Sequence, residues 1–130
     1  MTTYEVITGP NPWPERYTFS PAVRAGNLLF LSGATATDEH GHVVAPGDIV
    51  EQTRVIFRKF ERLLQAAGGG LEHIVQTTDY IITTENYALT ADVRRELFKG
   101  RYPTATGVIV KGLLREGAVI EISAMAVLPG

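Results

Sequence analysis

Cysteine is absent from the 130-residue chain, which removes disulfides, thiolate nucleophiles and cysteine-held zinc or iron–sulfur clusters in one step. Charge of one sign is not in excess either. Twelve Lys and Arg stand against 14 Asp and Glu, for a net charge of −2, so no surplus positive field holds a polyanion by counterion release. Sequence-specific nucleic-acid binding is therefore not expected. No apolar run approaches the ~18 residues of a membrane span, and the N-terminus lacks the basic-then-apolar order of a secretory signal. The expectation is a soluble cytoplasmic protein with no membrane partner. Repeats, low-complexity tracts and linkers are also lacking. What is present, 45% hydrophobic and 20% charged residues, suits one domain over residues 1–130. A chain of this length buries roughly two-thirds of its unfolded surface without staples or metals.

Prolines at 10, 12 and 14 around Trp13 remove backbone donors and restrict the residues before them, so residues 1–16 form a less regular segment, with a possible short strand at Tyr4 to Thr8. Thr18 to Val23 and Leu28 to Ser32 are β-compatible runs around a turn at Arg24-Ala25-Gly26-Asn27. Asp38 to Gly47 reads as an exposed loop. A helix follows: Ile49, Thr53, Ile56, Phe57, Phe60, Leu63, Leu64 and Ala67 share one face, while Arg54, Arg58, Lys59, Glu61 and Arg62 mark the wet side. Asp48 with Glu51 resembles a capping box, and Gly68-Gly69-Gly70 stops the helix. His73 to Thr83 predicts a strand. Thr84 is placed to cap a second helix carrying Tyr87, Thr90, Val93, Leu97 and Phe98 on one face and ending at Gly100. Val108 to Leu114 and Ala118 to Leu128 close the chain as strands around a Gly117 turn. The order β-β-α-β-α-β-β is α+β, with helices on one sheet face. In the last strand Ala118, Ile120, Ile122, Ala124 and Ala126 point one way, whereas Val119, Met125 and Val127 share the other side with Glu121 and Ser123. An apolar second face left uncovered points to a homo-oligomer.

Glu121 is the candidate for chemistry, being the one acid within this apolar strand. A carboxylate among Val119, Ser123 and Met125 is placed to give and take protons; the alternatives are a solvated position at a sheet edge, or an ion pair with an Arg across an interface. His40 and His42 flank Gly41 without a convincing third metal ligand, so no metal is expected. His73 reads as a structural terminator. Ser32 precedes Gly33 but lacks a nucleophile elbow and a base. Gly68 to Gly70 ends a helix instead of opening one, which does not make a phosphate cradle.

From about Tyr17 to Val127 the chain resembles the reactive intermediate deaminase (Rid/YjgF) family. The resemblance is carried by Phe19-Ser20-Pro21-Ala22-Val23-Arg24-Ala25-Gly26-Asn27-Leu28-Leu29-Phe30-Leu31-Ser32-Gly33, by Gln52-Thr53-Arg54, by Leu71-Glu72-His73-Ile74-Val75-Gln76-Thr77-Thr78 and by Pro103 to Val127. It implies a chorismate-mutase-like α+β protomer with a mixed sheet and two helices on one face. It also implies a homotrimer whose sheets face inward around clefts for a small-molecule substrate, and no cofactor. In such proteins an Arg that forks onto a substrate carboxylate opens the penultimate strand. Here the stretch is Pro103-Thr104-Ala105-Thr106, so that Arg is Ala105. An Asn of the second helix corresponds to Ala91, and the aromatic Tyr to Phe19. Glu121 matches the glutamate held to position or activate water. Gly33 and the backbone around Thr106 and Gly107 correspond to cleft-lining positions.

These residues lead to an expectation of a small-molecule hydrolase. Glu121 would orient water on an imine or move a proton on an enamine, aminomuconate-like compounds being one substrate class. Gly33 and Gly107 would offer backbone donors, Phe19 a flat wall, and Arg101, Arg94 or Lys111 a replacement cation. Proton transfer without deamination, as in a tautomerase, and a non-catalytic trimer that binds a metabolite or protein are the alternatives. An endoribonuclease fits the acidic balance poorly.

Overall fold

The computed structural model of the chain describes residues 3–130. Six strands, β1 Glu5–Ile7, β2 Ala22–Ala25, β3 Leu28–Ala34, β4 Ile74–Ile81, β5 Thr104–Ile109 and β6 Ile120–Val127, form one sheet in the order β1-β2-β3-β6-β4-β5. Neighbours are antiparallel apart from β4 and β5, which are parallel. Helices α1 Ile49–Ala66 and α2 Thr90–Phe98 pack on one face, as expected.

Helix α1 forms where its periodicity and end signals place it. The Asp48 carboxylate accepts from the Glu51 backbone N–H at 3.1 Å, satisfying one of the donors a helix start leaves free. Gly68, at φ +88°, takes the left-handed turn that ends it. Ile56, Phe57, Phe60 and Leu64 are fully buried against the inward side of β3 and β6, where Leu29, Leu31, Ile120, Ile122 and Ala126 complete the core. Gln52 lies in the same buried layer. Its amide donates to the carbonyls of Val44, Ala45 and Gly117 and its oxygen accepts from Val119 N–H at 2.9 Å, tying the loop before α1 to the entrance of β6.

Four local expectations are corrected. The strand foreseen at Thr18 to Val23 begins only at Ala22, because the preceding arm bonds through side chains: Trp13 Nε1 donates to the Phe19 carbonyl at 2.8 Å and Ser32 Oγ to the Ser20 carbonyl at 2.6 Å. Thr84 does not cap α2. A 3₁₀ turn at Tyr87–Leu89 leads into the helix, entered through Asn86 in the left-handed region at φ +59°. The strand foreseen at Val108 to Leu114 is instead β5, Thr104–Ile109. It forms no hairpin with β6, since the α2 crossover returns the chain parallel to β4, with Gln76 to Ile81 paired in register with Thr104 to Ile109. Finally, Lys59 is drawn off the wet side of α1, its ammonium donating to the Thr35 carbonyl at 2.9 Å and to Thr37 Oγ1 at 2.8 Å.

The expected division of β6 holds. Ile120, Ile122 and Ala126 are buried under the helices, while Glu121, Ser123 and Met125 are half-buried on the opposite side. That opposite side also presents Phe30, paired with Met125 and 43% exposed. A sheet face with such side chains uncovered is the feature that positions the site.

Candidate functional site

Glu121 is the second residue of β6, its backbone fixed by the buried Ile120 and Ile122 on either side. It is directly opposite Tyr80 of β4. On its other flank the β3 ladder shifts register between Leu31 and Ala34, a bulge that re-aims the strand there. The shift brings Gly33 against the carboxylate so closely that a Cβ at position 33 would overlap Glu121 Oε2. Gly33 does not occupy the left-handed region, so the glycine serves the close approach and not a turn.

Gly33 also lines a cavity of about 560 Å³ between the N-terminal arm and α1. Phe19 lines the same cavity, half of its surface exposed. It is stacked on Tyr17 at 5.5 Å between ring centroids and set edge-on to Trp13 at 5.4 Å. Gly33 thus meets the Glu121 carboxylate and shares the cavity with Phe19, whereas Glu121 itself is not part of that lining. The remaining candidates are not with them. Thr106 shares the open face but stands on β5, with β4 between it and β6. Gly107 pairs with Asp79 and faces the helices, where a Cβ would stand 3.0 Å from the Tyr87 hydroxyl. Arg101 and Lys111 are exposed in the connections flanking β5. Within one protomer, Thr106, Gly107 and Arg101 therefore do not converge on Glu121.

The histidines behave as structural residues. His73 Nδ1 accepts from Gly70 N–H at 2.9 Å. The rings of His40 and His42 are 6.3 Å apart, in a loop organised by Asp38, whose Oδ1 accepts from both of their backbone N–H groups at 2.9 Å. These bonds hold the Asp38 carboxyl below its ordinary range. No group of three His, Asp or Glu side chains converges to hold a metal among the described residues.

Two polar arrangements escaped the sequence reading. One is beneath α2: Asp79, 2% exposed, accepts on Oδ2 from Tyr87 Oη and from Arg94 Nη2, each at 2.6 Å, while its Oδ1 has no partner. Burial, followed by the hydrogen bond to Asp79, pushes the Tyr87 hydroxyl up to about 12. An Asp in a Thr- and Ile-rich strand was the available signal, but nothing in the spacing said which cation would meet it. The other is the cation group around the arm cavity, where Lys59, at the base of the cavity, has its ammonium lowered to about 8, first by desolvation and then by Arg115 and Arg62.

Comparison with known proteins shows what this architecture is. The model of the family described as endoribonuclease L-PSP matches residues 12–128. A RutC family protein of Pyrococcus horikoshii is 32% identical over 108 residues, covering 83% of this chain and 85% of that one. The chain belongs to the Rid/YjgF family. Among solved structures, a Rid family protein from Yersinia pestis superposes with a TM-score of 0.83 at 28% identity, covering 96% of this chain and 99% of that one. A protein from Pseudomonas aeruginosa gives 0.86 at 29% identity, covering 98% and 94%. In this family member Ala91 and Ala105 line a second, smaller cavity of about 300 Å³ together with Arg94 and Tyr102. Arg94 thus borders the space beside Ala105, but its charge is already engaged by the buried Asp79.

Proposed function

We propose that this Rid/YjgF protein is a hydrolytic deaminase of imine or enamine intermediates, acting at clefts between the copies of a homotrimer. The observation that carries this reading is the packing of the Glu121 carboxylate against Gly33 on an uncovered sheet face that also presents Phe30 and Met125. A carboxylate fixed in this way orients one water and accepts its proton as the oxygen bonds to the imine carbon. Glu121 passes that proton to the imine nitrogen, giving a carbinolamine; the carboxylate then carries the hydroxyl proton to nitrogen as the carbon–nitrogen bond breaks, leaving a carbonyl compound and ammonia. The balance is imine plus water giving carbonyl plus ammonia, with Glu121 returned to its starting state. For an enamine, Glu121 starts as the carboxylic acid and delivers its proton to carbon, leaving an iminium and the carboxylate that then takes the proton of the attacking water. A backbone donor at Gly33 would hold a polar substrate atom, and donors of this kind contribute roughly 3 kcal/mol to a transition state when correctly aimed. Two further copies covering Phe30, Met125 and Val127 would exclude bulk water from the carboxylate and bring Thr106, Gly107 and Arg101 of a neighbour toward it.

One specific observation favours a second reading, a trimer that binds a metabolite without turnover: Ala91 and Ala105 both border the smaller cavity and carry no polar group there. The endoribonuclease activity in the family description is supported by no basic surplus, the net charge being −2. The test is ammonia release from freshly generated imines of several amino acids. Turnover by the native protein that is lost in Glu121→Gln, with assembly unchanged, supports deamination. Turnover that persists in Glu121→Gln removes Glu121 from the chemistry, and retention of a ligand without any ammonia release selects the binding module.

A further inference from the structure

The cavity between the N-terminal arm and α1 has a composition that the protein's overall charge does not suggest. Arg16, Lys59, Arg62 and Arg115 all line it, in a chain of net charge −2. None of them is within 4.0 Å of a carboxylate oxygen among the described residues. Lys59 is bonded to the Thr35 carbonyl and the Thr37 hydroxyl. Arg115 donates to the Gly41 carbonyl and the Tyr17 hydroxyl, both at 2.9 Å. These acceptors are neutral, so no carboxylate is bonded to these cations, and Asp38 acts on Lys59 only from beyond bonding distance. The acids of the lining, Asp38 and Glu39, are turned to the loop backbone and to neighbouring histidines. The same lining holds an aromatic cluster, Trp13, Tyr17 and Phe19, whose centroids are 5.1 to 5.5 Å apart, with the Arg16 guanidinium 4.8 Å over the Tyr17 ring and Arg115 bonded to the Tyr17 hydroxyl. A cavity lined by cations that lack a bonded carboxylate, next to a cluster of aromatic rings, matches a ligand that carries both a negative charge and a planar apolar body. A neutral aliphatic ligand would leave the cations repelling one another.

We infer that this cavity is a binding site for a small planar organic anion, an aromatic or conjugated carboxylate, whose charge is held by Lys59, Arg62 and Arg115 and whose flat body packs against the aromatic cluster of Trp13, Tyr17 and Phe19. The site differs from the space beside Ala105, where Arg94 is engaged by Asp79. It deepens the deaminase reading by naming a substrate class and rests on that reading for its chemistry, Gly33 being the residue that joins the cavity to Glu121. Lys59 also gives the site a pH dependence. Its ammonium is opposed first by burial and then by Arg115 and Arg62, with Asp38 favouring it, so an incoming carboxylate raises its proton affinity. Binding therefore weakens as pH rises through about 8.

The single tryptophan, Trp13, reports occupancy directly. Benzoate, benzamide and cyclohexanecarboxylate are titrated at pH 7 and pH 9.5 against native protein, Lys59→Met and the exposed-site variant Arg62→Gln, following Trp13 fluorescence. Benzoate is expected to bind at least about tenfold more tightly than benzamide, and more tightly than cyclohexanecarboxylate. Its affinity should fall about tenfold from pH 7 to 9.5 in native protein and much less in Lys59→Met. Arg62→Gln, which leaves the core untouched, should weaken benzoate severalfold. Benzamide binding as tightly as benzoate, or both variants binding benzoate like native protein, overturns the assignment. Ammonia release measured on the same samples separates the two readings. Turnover without benzoate binding overturns the cavity alone, whereas benzoate binding without turnover on any imine upholds the cavity and overturns the Glu121 mechanism.

Discussion

Gly33→Ala is the substitution that most directly tests how Glu121 is positioned. The added methyl would overlap Oε2, while the next carboxyl atoms, the carbon and Cγ, lie at 3.3 and 3.5 Å from the same point. The clash falls on the far end of a flexible side chain, so the carboxylate swings away while the strand stays. Gly33 lies outside the left-handed region, and alanine there gains about 0.5–1 kcal/mol from the smaller entropy of its unfolded chain. An off-rotamer Glu121 costs about 0.5–1.5 kcal/mol. The two offset each other, and the melting temperature should move by only a few degrees. Activity should not be spared, because a displacement of about 1 Å in a positioned catalytic group costs about 100-fold, or ~2.7 kcal/mol of transition-state stabilisation. The assay pairs a thermal melt with kcat/KM for ammonia release. Native-like kcat/KM in a folded Gly33→Ala protein would refute the claim that this contact sets the carboxylate, and a loss of fold would refute the claim that only a side-chain end is displaced.

Arg94→Ala removes the cation from Asp79 and leaves a 2% exposed carboxylate with Tyr87 alone, so urea unfolding should show a loss of about 3–5 kcal/mol; a loss under 1 would mean the pair is not buried in solution. Tyr87→Phe should remove the latest step from the alkaline titration of tyrosine absorbance, because a hydroxyl raised to about 12 stays protonated in the fold after its unfolded counterpart ionises near 10. The stability it contributes is present below pH 10 and lost between about 10 and 12, so the native protein should lose more over this window than Tyr87→Phe. Lys59 works in the opposite direction. Its folded value of about 8 is below the unfolded 10.5, so the unfolded chain binds more protons between them, and native stability relative to Lys59→Met should rise by about 1–2 kcal/mol from pH 8 to 10.5. Phe30→Glu, at a 43% exposed position on the open sheet face, should turn the proposed trimer into monomers in light scattering, and a native trimer mass retained by the variant would refute the inward-facing assembly.

The parts of this protein that were legible in its sequence are those in which one segment decides its own structure. Helix α1 carries its cap, its apolar face and its glycine stop within the segment from Asp48 to Gly70, and β6 carries two faces in strict alternation, so Glu121 could be placed from position alone. Pairing decided by distant residues was not legible. The β-branched run at Val108 to Val110 marks a strand, but only the α2 crossover sets β5 parallel to β4 and makes Thr104 its first ladder residue. The same limit applies to Lys59. Helical phase alone puts it on the solvent side, and what draws it inward are the Thr35 carbonyl and the Thr37 hydroxyl, 22 to 24 residues away in sequence. A loop bonding an ammonium near two arginines therefore builds a charged cavity where periodicity describes a wet surface. Gly33 lies between these cases. Its place beside Ser32 was readable as a family match, but its physical reason, the space that Glu121 fills, depends on a bulge in β3 that no local pattern records. Function in this fold thus rests on contacts between segments, and a substitution that keeps each segment's own pattern intact, such as Gly33→Ala or Lys59→Met, is the kind that should change activity or binding while leaving the fold in place.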